Sequence, residues 1–196
     1  MRNRRLAVLL SGRGSNLEAI ADAVESGRIP RAQIVAVISD VPEARGLARA
    51  RDRGLPVFSV KASEFPGRVA REAQILAVLE DAKPDLICLA GYMRILSSDF
   101  VGRYRGRILN IHPALLPSFP GLDPQRQALE AGARVSGCTV HFVDEGTDSG
   151  PIVLQRQVPV LAGDTEESLA ARILEQEHVA YPDAIARVLE ELVPLG

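Results

Sequence analysis

The sequence predicts an α/β protein built on a mostly parallel sheet with helices on both faces. Three observations carry that reading. Short continuous runs of Val, Ile, Leu and Ala recur up to Ile111, as strands buried on both faces require. Between them lie stretches with helical spacing, so strand and helix alternate. The composition agrees: of 196 residues, 46% are hydrophobic and 24% charged, close to the globular average and unlike a disordered or fibrous chain.

Each element follows from its residues. Leu6 to Leu10 is the first strand. After a Gly-rich turn, Leu17, Ile20, Ala21 and Val24 recur at i, i+3, i+4 and i+7, a helical stripe that stops at Gly27. Ile34 to Ile38 is the second strand, and Glu43 to Arg53 an Ala-rich helix closed by Gly54. Pro56 to Val60 is a short third strand, followed by a helix from about Gly67 to Ala82 that ends before Pro84. Leu86 to Ala90 is a fourth strand; Ser97 or Ser98 caps a short helix through Tyr104, and Ile108 to Ile111 is the fifth strand.

The second half changes style. Ala114 to Gly121, ALLPSFPG, is too rich in Pro and Gly for regular structure. A short helix over Gln125 to Glu130 precedes an alternating strand, Val135 to Val143, with Thr139, His141 and Val143 on one side. Gly146 to Pro151 reads as a turn and Ile152 to Val160 as a further strand. Asp164 with Glu167 reads as a capping box for a long helix that Pro182 interrupts before it resumes to about Leu192. Without repeats or linkers, the chain reads as a single domain, 1–196.

Charge and cysteine usage narrow the function. With 23 basic and 25 acidic residues, a net charge of −2 and only 4% aromatics, nothing favours a nucleic-acid partner. No apolar run is long enough to span a membrane, and the one after the basic start ends at Ser11, too short for a signal peptide. Cys88 and Cys138, the two cysteines, sit far apart in apolar runs and read as buried thiols of a cytoplasmic protein. No spacing suggests a metal site.

In a parallel sheet, ligands bind beyond the carboxyl ends of the strands, which directs attention to Ser11–Asn16, Asp40, Gly91–Leu96 and Asn110–His112. The loop SGRGSN carries two glycines that let the backbone approach an anion, at the positive end of a helix, with Ser15 and Asn16 as added donors. A merely tight turn is the bland alternative. Asn110 and His112 share one face of a strand end, where an amide can donate to an oxyanion and an imidazole can exchange protons. A core histidine bonded to a carbonyl fits the same spacing. Asp148, in its Gly-rich turn, is either a partner that charges His112 or an ordinary turn former. His141, mid-strand, reads as structural, and His178 as part of a helix face.

The whole chain resembles the folate-dependent glycinamide ribonucleotide formyltransferases. The motifs are SGRGSN at 11–16, AGYMRIL at 90–96, NIHPALLPSFPG at 110–121, HFVDEGTDSGP at 141–151 and QEHVAYP at 176–182. The resemblance implies a Rossmann-like formyltransferase fold with C-terminal strands added antiparallel. It also implies transfer of a formyl group from 10-formyltetrahydrofolate to the amino group of glycinamide ribonucleotide, without a metal, by a monomer or homodimer. Gly14, Ser15 and Asn16 would hold the ribonucleotide phosphate, and Glu177 would lie near its glycinamide end. Arg68, Met93, Arg94, Ile95, Leu96 and Asn110 would contact the folate. Asn110 and His112 would stabilise the oxyanion, His112 would move the proton, and Asp148 would raise the histidine pKa. The sequence departs from its relatives at Asp123, Pro124 and Gln125, where histidines are frequent, and at Leu174, where a polar residue is expected.

Two related enzymes and one non-enzyme stand as alternatives. A formyltetrahydrofolate hydrolase would carry an N-terminal regulatory domain, for which a first strand at Leu6 leaves no room. A methionyl-tRNA formyltransferase would need a C-terminal extension and a basic surface. A noncatalytic sugar-phosphate or folate-binding module would have no use for the Asn110, His112 and Asp148 set.

Overall fold

In the computed structural model, which describes residues 3–194, strand and helix alternate as expected. Strand β1 (Arg4–Leu10) leads to helix α1 (Ser15–Glu25), and β2 (Ala32–Ser39) to α2 (Arg45–Asp52). Strand β3 (Val57–Ser59) leads through one turn of 3-10 helix to α3 (Arg68–Ala82), and β4 (Leu86–Leu89) to α4 (Ser98–Arg103). Then follow β5 (Ile108–His112), α5 (Pro124–Glu130), β6 (Val135–Phe142), β7 (Ile152–Pro159) and α6 (Glu166–Leu192).

The strands form one sheet in the order β3-β2-β1-β4-β5-β6-β7. The first five pair in parallel, while β6 is antiparallel to both β5 and β7. Only a turn separates β6 from β7, which forces the antiparallel arrangement, since a parallel return needs a crossover. Successive residues of β1 point to opposite faces. Leu6, Val8 and Leu10 join a core with Leu17 and Ile20 of α1, Leu47 of α2 and Ile185 of α6. Ala7 and Leu9 join a second core with Ile75 and Leu79 of α3 and Phe100 of α4. Helices therefore cover both faces, and a central strand must be apolar throughout.

Helix α6 departs from expectation twice. Its cap is Thr165, whose side chain accepts from the Ser168 N–H while the Ser168 hydroxyl accepts from the Thr165 N–H. The reciprocal pair thus lies one residue beyond the Asp164–Glu167 pair, because Asp164 instead accepts from Ser168 and from both terminal nitrogens of Arg172. Nor does Pro182 interrupt the helix, which runs continuously for 27 residues. A proline inside a helix costs about 3 kcal/mol. Ile173, Tyr181, Ile185 and Leu189 are wholly buried on both sides of it, each contributing about 1.5–3 kcal/mol, so packing prevails. The Tyr181 hydroxyl adds a tie, 3.0 Å from the carbonyls of both Leu89 and Leu109, which pins α6 to β4 and β5.

Candidate active site

The chain order reverses between β1 and β4, so their carboxyl ends splay two loops around one crevice. The loop after β1 is shaped by a contact between two glycines. Gly14 has φ +80°, and a Cβ there would lie 2.4 Å from the Cα of Gly46 at the start of α2. A Cβ on Gly46 would in turn meet the Leu10 side chain at 2.8 Å. The Gly46 N–H donates to the Gly12 carbonyl (3.1 Å), so the loop rests on α2. The first intrahelical bond of α1 runs from Glu18 N–H to Gly14 C=O, which leaves the N–H groups of Ser15, Asn16 and Leu17 without an intrahelical acceptor. Their positive field faces a cleft of about 630 Å³ that the loop lines together with Gly91, Met93, Leu174 and Glu177.

At the base of this cleft the Asn16 amide donates to a Glu177 carboxylate oxygen at 2.7 Å, and both residues are more than nine-tenths buried. The amide oxygen of Asn16 is buried with no partner. Burial pushes the Glu177 carboxyl above its ordinary value, against the Asn16 hydrogen bond and the positive charge of Arg13. This wall of the crevice therefore offers backbone donors for an anion and side-chain acceptors for an amine or hydroxyl.

A second group lies at the carboxyl end of β5. Ile111 and Pro113 line the cleft, and the residues that alternate with them, Asn110 and His112, face a cluster built with β6 and the turn after it. Asn110 is paired across the strands with His141, and its amide nitrogen lies 3.2 Å from His141 Nε2. His141 Nδ1 lies 2.9 Å from the Phe142 carbonyl and donates its N–H to it. Asp148 faces both histidines, 3.3 Å from His112 Nδ1 and 3.6 Å from His141 Nε2. It sits in the left-handed region (φ 52°), which aspartate tolerates better than most residues.

The irregular segment Ala114–Gly121 closes over this cluster. The Thr139 hydroxyl, opposite His112 in the β5–β6 pairing, donates to the Ala114 carbonyl (2.6 Å) and accepts from the Leu116 N–H (3.0 Å). Those bonds bring the Phe119 carbonyl to 2.9 Å from His112 Nε2, and the Gly121 N–H donates to Asp148 at 2.9 Å. Burial alone would push the Asp148 carboxyl up. The His141 imidazole, the Gly121 N–H and the charge of His112 outweigh it and hold the group below its ordinary value. His112 is 5% exposed, with one ring nitrogen at a carboxylate and the other at a carbonyl that a substrate oxygen can replace.

The structure thus gathers Gly14, Ser15, Asn16, Met93 and Glu177 around the cleft, and Asn110, His112 and Asp148 in the adjoining cluster. Met93 lines the cleft with 70% of its surface exposed; Ile95, 72% exposed in the same loop, lies outside the lining. Arg94 turns from the cleft to Asp40 (2.7 Å), and Leu96 packs half-buried on the second core. Arg68 lies exposed in the first turn of α3, outside the cleft lining. His141, which its sequence position marks as structural, packs against the cluster, with Nε2 near both Asn110 and Asp148. Only knowledge that β6 pairs with β5 in this register could have shown it. Among the described residues, no group of three or more His, Cys, Asp or Glu is placed to hold a metal ion.

The α/β sheet thus carries, side by side, a loop with free N–H groups and a cluster of Asn110, His112 and Asp148. Residues 4–185 match the formyl transferase family, and the chain belongs to it. Phosphoribosylglycinamide formyltransferase of Escherichia coli (strain K12) is 47% identical over 181 residues, which cover 92% of this chain and 85% of the relative. The trifunctional purine biosynthetic protein adenosine-3 of Drosophila melanogaster is 50% identical over 189 residues, 96% of this chain; the chain spans 14% of that relative's length. The crystal structure of glycinamide ribonucleotide transformylase 1 from Symbiobacterium toebii superposes with a TM-score of 0.94 at 50% identity, covering 96% of this chain and 89% of that one.

Proposed function

We propose that this protein transfers the formyl group of 10-formyltetrahydrofolate to the amino group of glycinamide ribonucleotide, a step of purine biosynthesis. The observation that carries the reading is the juxtaposition of two unlike walls. A glycine-shaped loop with free N–H groups suits the ribonucleotide phosphate, and the Asn110–His112–Asp148 cluster beside it suits acyl transfer. The names of the relatives above point the same way.

In this reading Gly14, Ser15 and Asn16 bind the phosphate, and the acceptors of Asn16 and Glu177 face the hydrogens of the glycinamide end. The apolar faces of Met93 and Ile95 cover the pterin, with backbone groups of 93–96 reading its edge. The substrate amine attacks the formyl carbon, and the carbonyl oxygen gains negative charge. His112 Nε2 gives up the Phe119 carbonyl for this oxygen, and the Asn110 amide donates beside it. Asp148 accepts from His112 Nδ1 and holds the ring oriented. His112 then gives its Nε2 proton to the departing folate nitrogen and takes the amine's proton in its place, so the reaction ends with the proton inventory it began with. No residue forms a covalent bond.

We also assign the chain to the cytoplasm, where buried Cys88 and Cys138 stay reduced, and read the single sheet with α6 packed on it as one domain. No helix among the described residues is long and apolar enough to cross a membrane. The test is incubation with 10-formyltetrahydrofolate, with and without glycinamide ribonucleotide, following folate deformylation and the mass of the ribonucleotide. Deformylation that requires the ribonucleotide and adds a formyl group to it is the expected result. Deformylation without it identifies a hydrolase; saturable binding without turnover identifies a binding module.

A further inference from the structure

We propose that Asp40 is a positioning residue that couples the two ligand loops, so that filling either loop tightens binding at the other. The proposal rests on the reading above for the identity of the two ligands. Asp40 follows β2, and its side chain is 1% exposed and lies outside the cleft lining. Both carboxylate oxygens are nevertheless engaged, one by each loop. Ser11, which opens the Gly-rich loop, donates its hydroxyl to Oδ1 (2.5 Å), and Arg94 of the loop after β4 donates Nε–H to Oδ2 (2.7 Å). The same Ser11 hydroxyl accepts from the Met93 N–H (2.9 Å).

The proton inventory makes the arrangement directional. A carboxylate only accepts, so the single Ser11 proton must go to Asp40, and the Ser11 lone pair is then left for Met93. An amide at position 40 offers one acceptor oxygen where the carboxylate offers two. With that oxygen toward Ser11, its NH2 opposes the Arg94 donor; reversed, its NH2 donates to Ser11 Oγ beside the Met93 N–H and the Ser11 proton loses its acceptor, so only removal of the side chain cuts the link to both loops. The remaining link, Ser11 N–H to the Gly91 carbonyl (3.0 Å), continues the strand pairing and survives either way. Asp40 thus locks the side chains of one loop to those of the other. A ligand that orders the 91–96 loop orders Ser11 and the turn behind it, and the converse holds by reciprocity.

Calorimetric titration of glycinamide ribonucleotide, with and without saturating tetrahydrofolate, tests this without turnover because no formyl group is present. The wild-type protein is expected to bind the ribonucleotide at least about fivefold more tightly when the folate is bound. Asp40→Ala, which removes both acceptors, brings that ratio to near one while each ligand alone still binds. Arg94→Gln cuts the same link from its half-exposed end, where folding is little at risk, and gives the same loss. The double variant loses no more than either single one. A wild-type ratio of one, or a ratio that survives Arg94→Gln, overturns the proposal, as does an Asp40→Ala protein that binds both ligands less well with the ratio intact. Formyl transfer by a wild-type protein without coupling removes Asp40 alone; absence of formyl transfer removes the functional reading itself.

Discussion

The parallel half of the sheet, β3-β2-β1-β4, and its antiparallel half, β5-β6-β7, supply the site in different ways. In the parallel half both faces are buried, so β1 has no strand position to spare for chemistry and contributes its end. That end offers backbone N–H groups shaped by Gly14 against Gly46. In the antiparallel half, neighbouring strands set side chains opposite one another: Asn110 faces His141 and His112 faces Thr139. Backbone geometry tolerates almost any ligand bearing an anion, whereas opposed side chains fix one proton arrangement. On the proposed function, binding falls to the first half and reaction to the second.

The largest effect should come from the reacting side. Replacing His112 by Ala or Asp148 by Asn should lower kcat by about 10³-fold, with KM values changed only a few-fold, as steady-state kinetics will show. Replacing Gly14 by Ala should break the binding side instead. Its Cβ would collide with Gly46, and strain at φ +80° adds to it, so KM for the ribonucleotide should rise about tenfold or more with kcat far less affected. His141→Gln should lower kcat by about tenfold, because the Asn110 amide loses its ring partner while the oxyanion site keeps His112. A loss as large as that of His112→Ala would make His141 a proton carrier.

The smallest effect sharpens the contrast through two carboxyls with opposite shifts. Glu177, raised by burial, holds its proton in the folded state after the unfolded chain has released it. The stability it contributes is present below the ordinary glutamate range and is lost as pH rises through the raised folded value. Asp148 is lowered, so its contribution is present above the ordinary aspartate range and is lost as pH falls through the folded value. Thermal unfolding should show Glu177→Gln gaining Tm relative to wild type as pH rises from about 5 to 7, and Asp148→Asn losing its disadvantage as pH falls below about 4.

The two halves also differ in how far the sequence discloses them. Continuous apolar strands and capped helices are local features, so the parallel half and the loop at Gly14 are legible from residue order. Asn110 and His112 are legible too, because alternation along one strand is local. His141 was not: its partner Asn110 lies 31 residues earlier, and nothing along the chain marks the register that joins them. The Phe119 carbonyl and the Asp40 link escape for the same reason, since both depend on loops meeting in space. Proline 182 shows the reverse case, a local stop signal overruled by tertiary packing.

The division of labour is tested most directly by single-turnover formyl transfer with both substrates saturating, comparing His112→Ala with Gly14→Ala. Saturation removes binding defects and leaves only the reaction. The account predicts that Gly14→Ala recovers a rate near wild type while His112→Ala remains about 10³-fold slower. A His112→Ala protein that turns over at the wild-type rate, or a Gly14→Ala defect that persists undiminished at saturation, would contradict it.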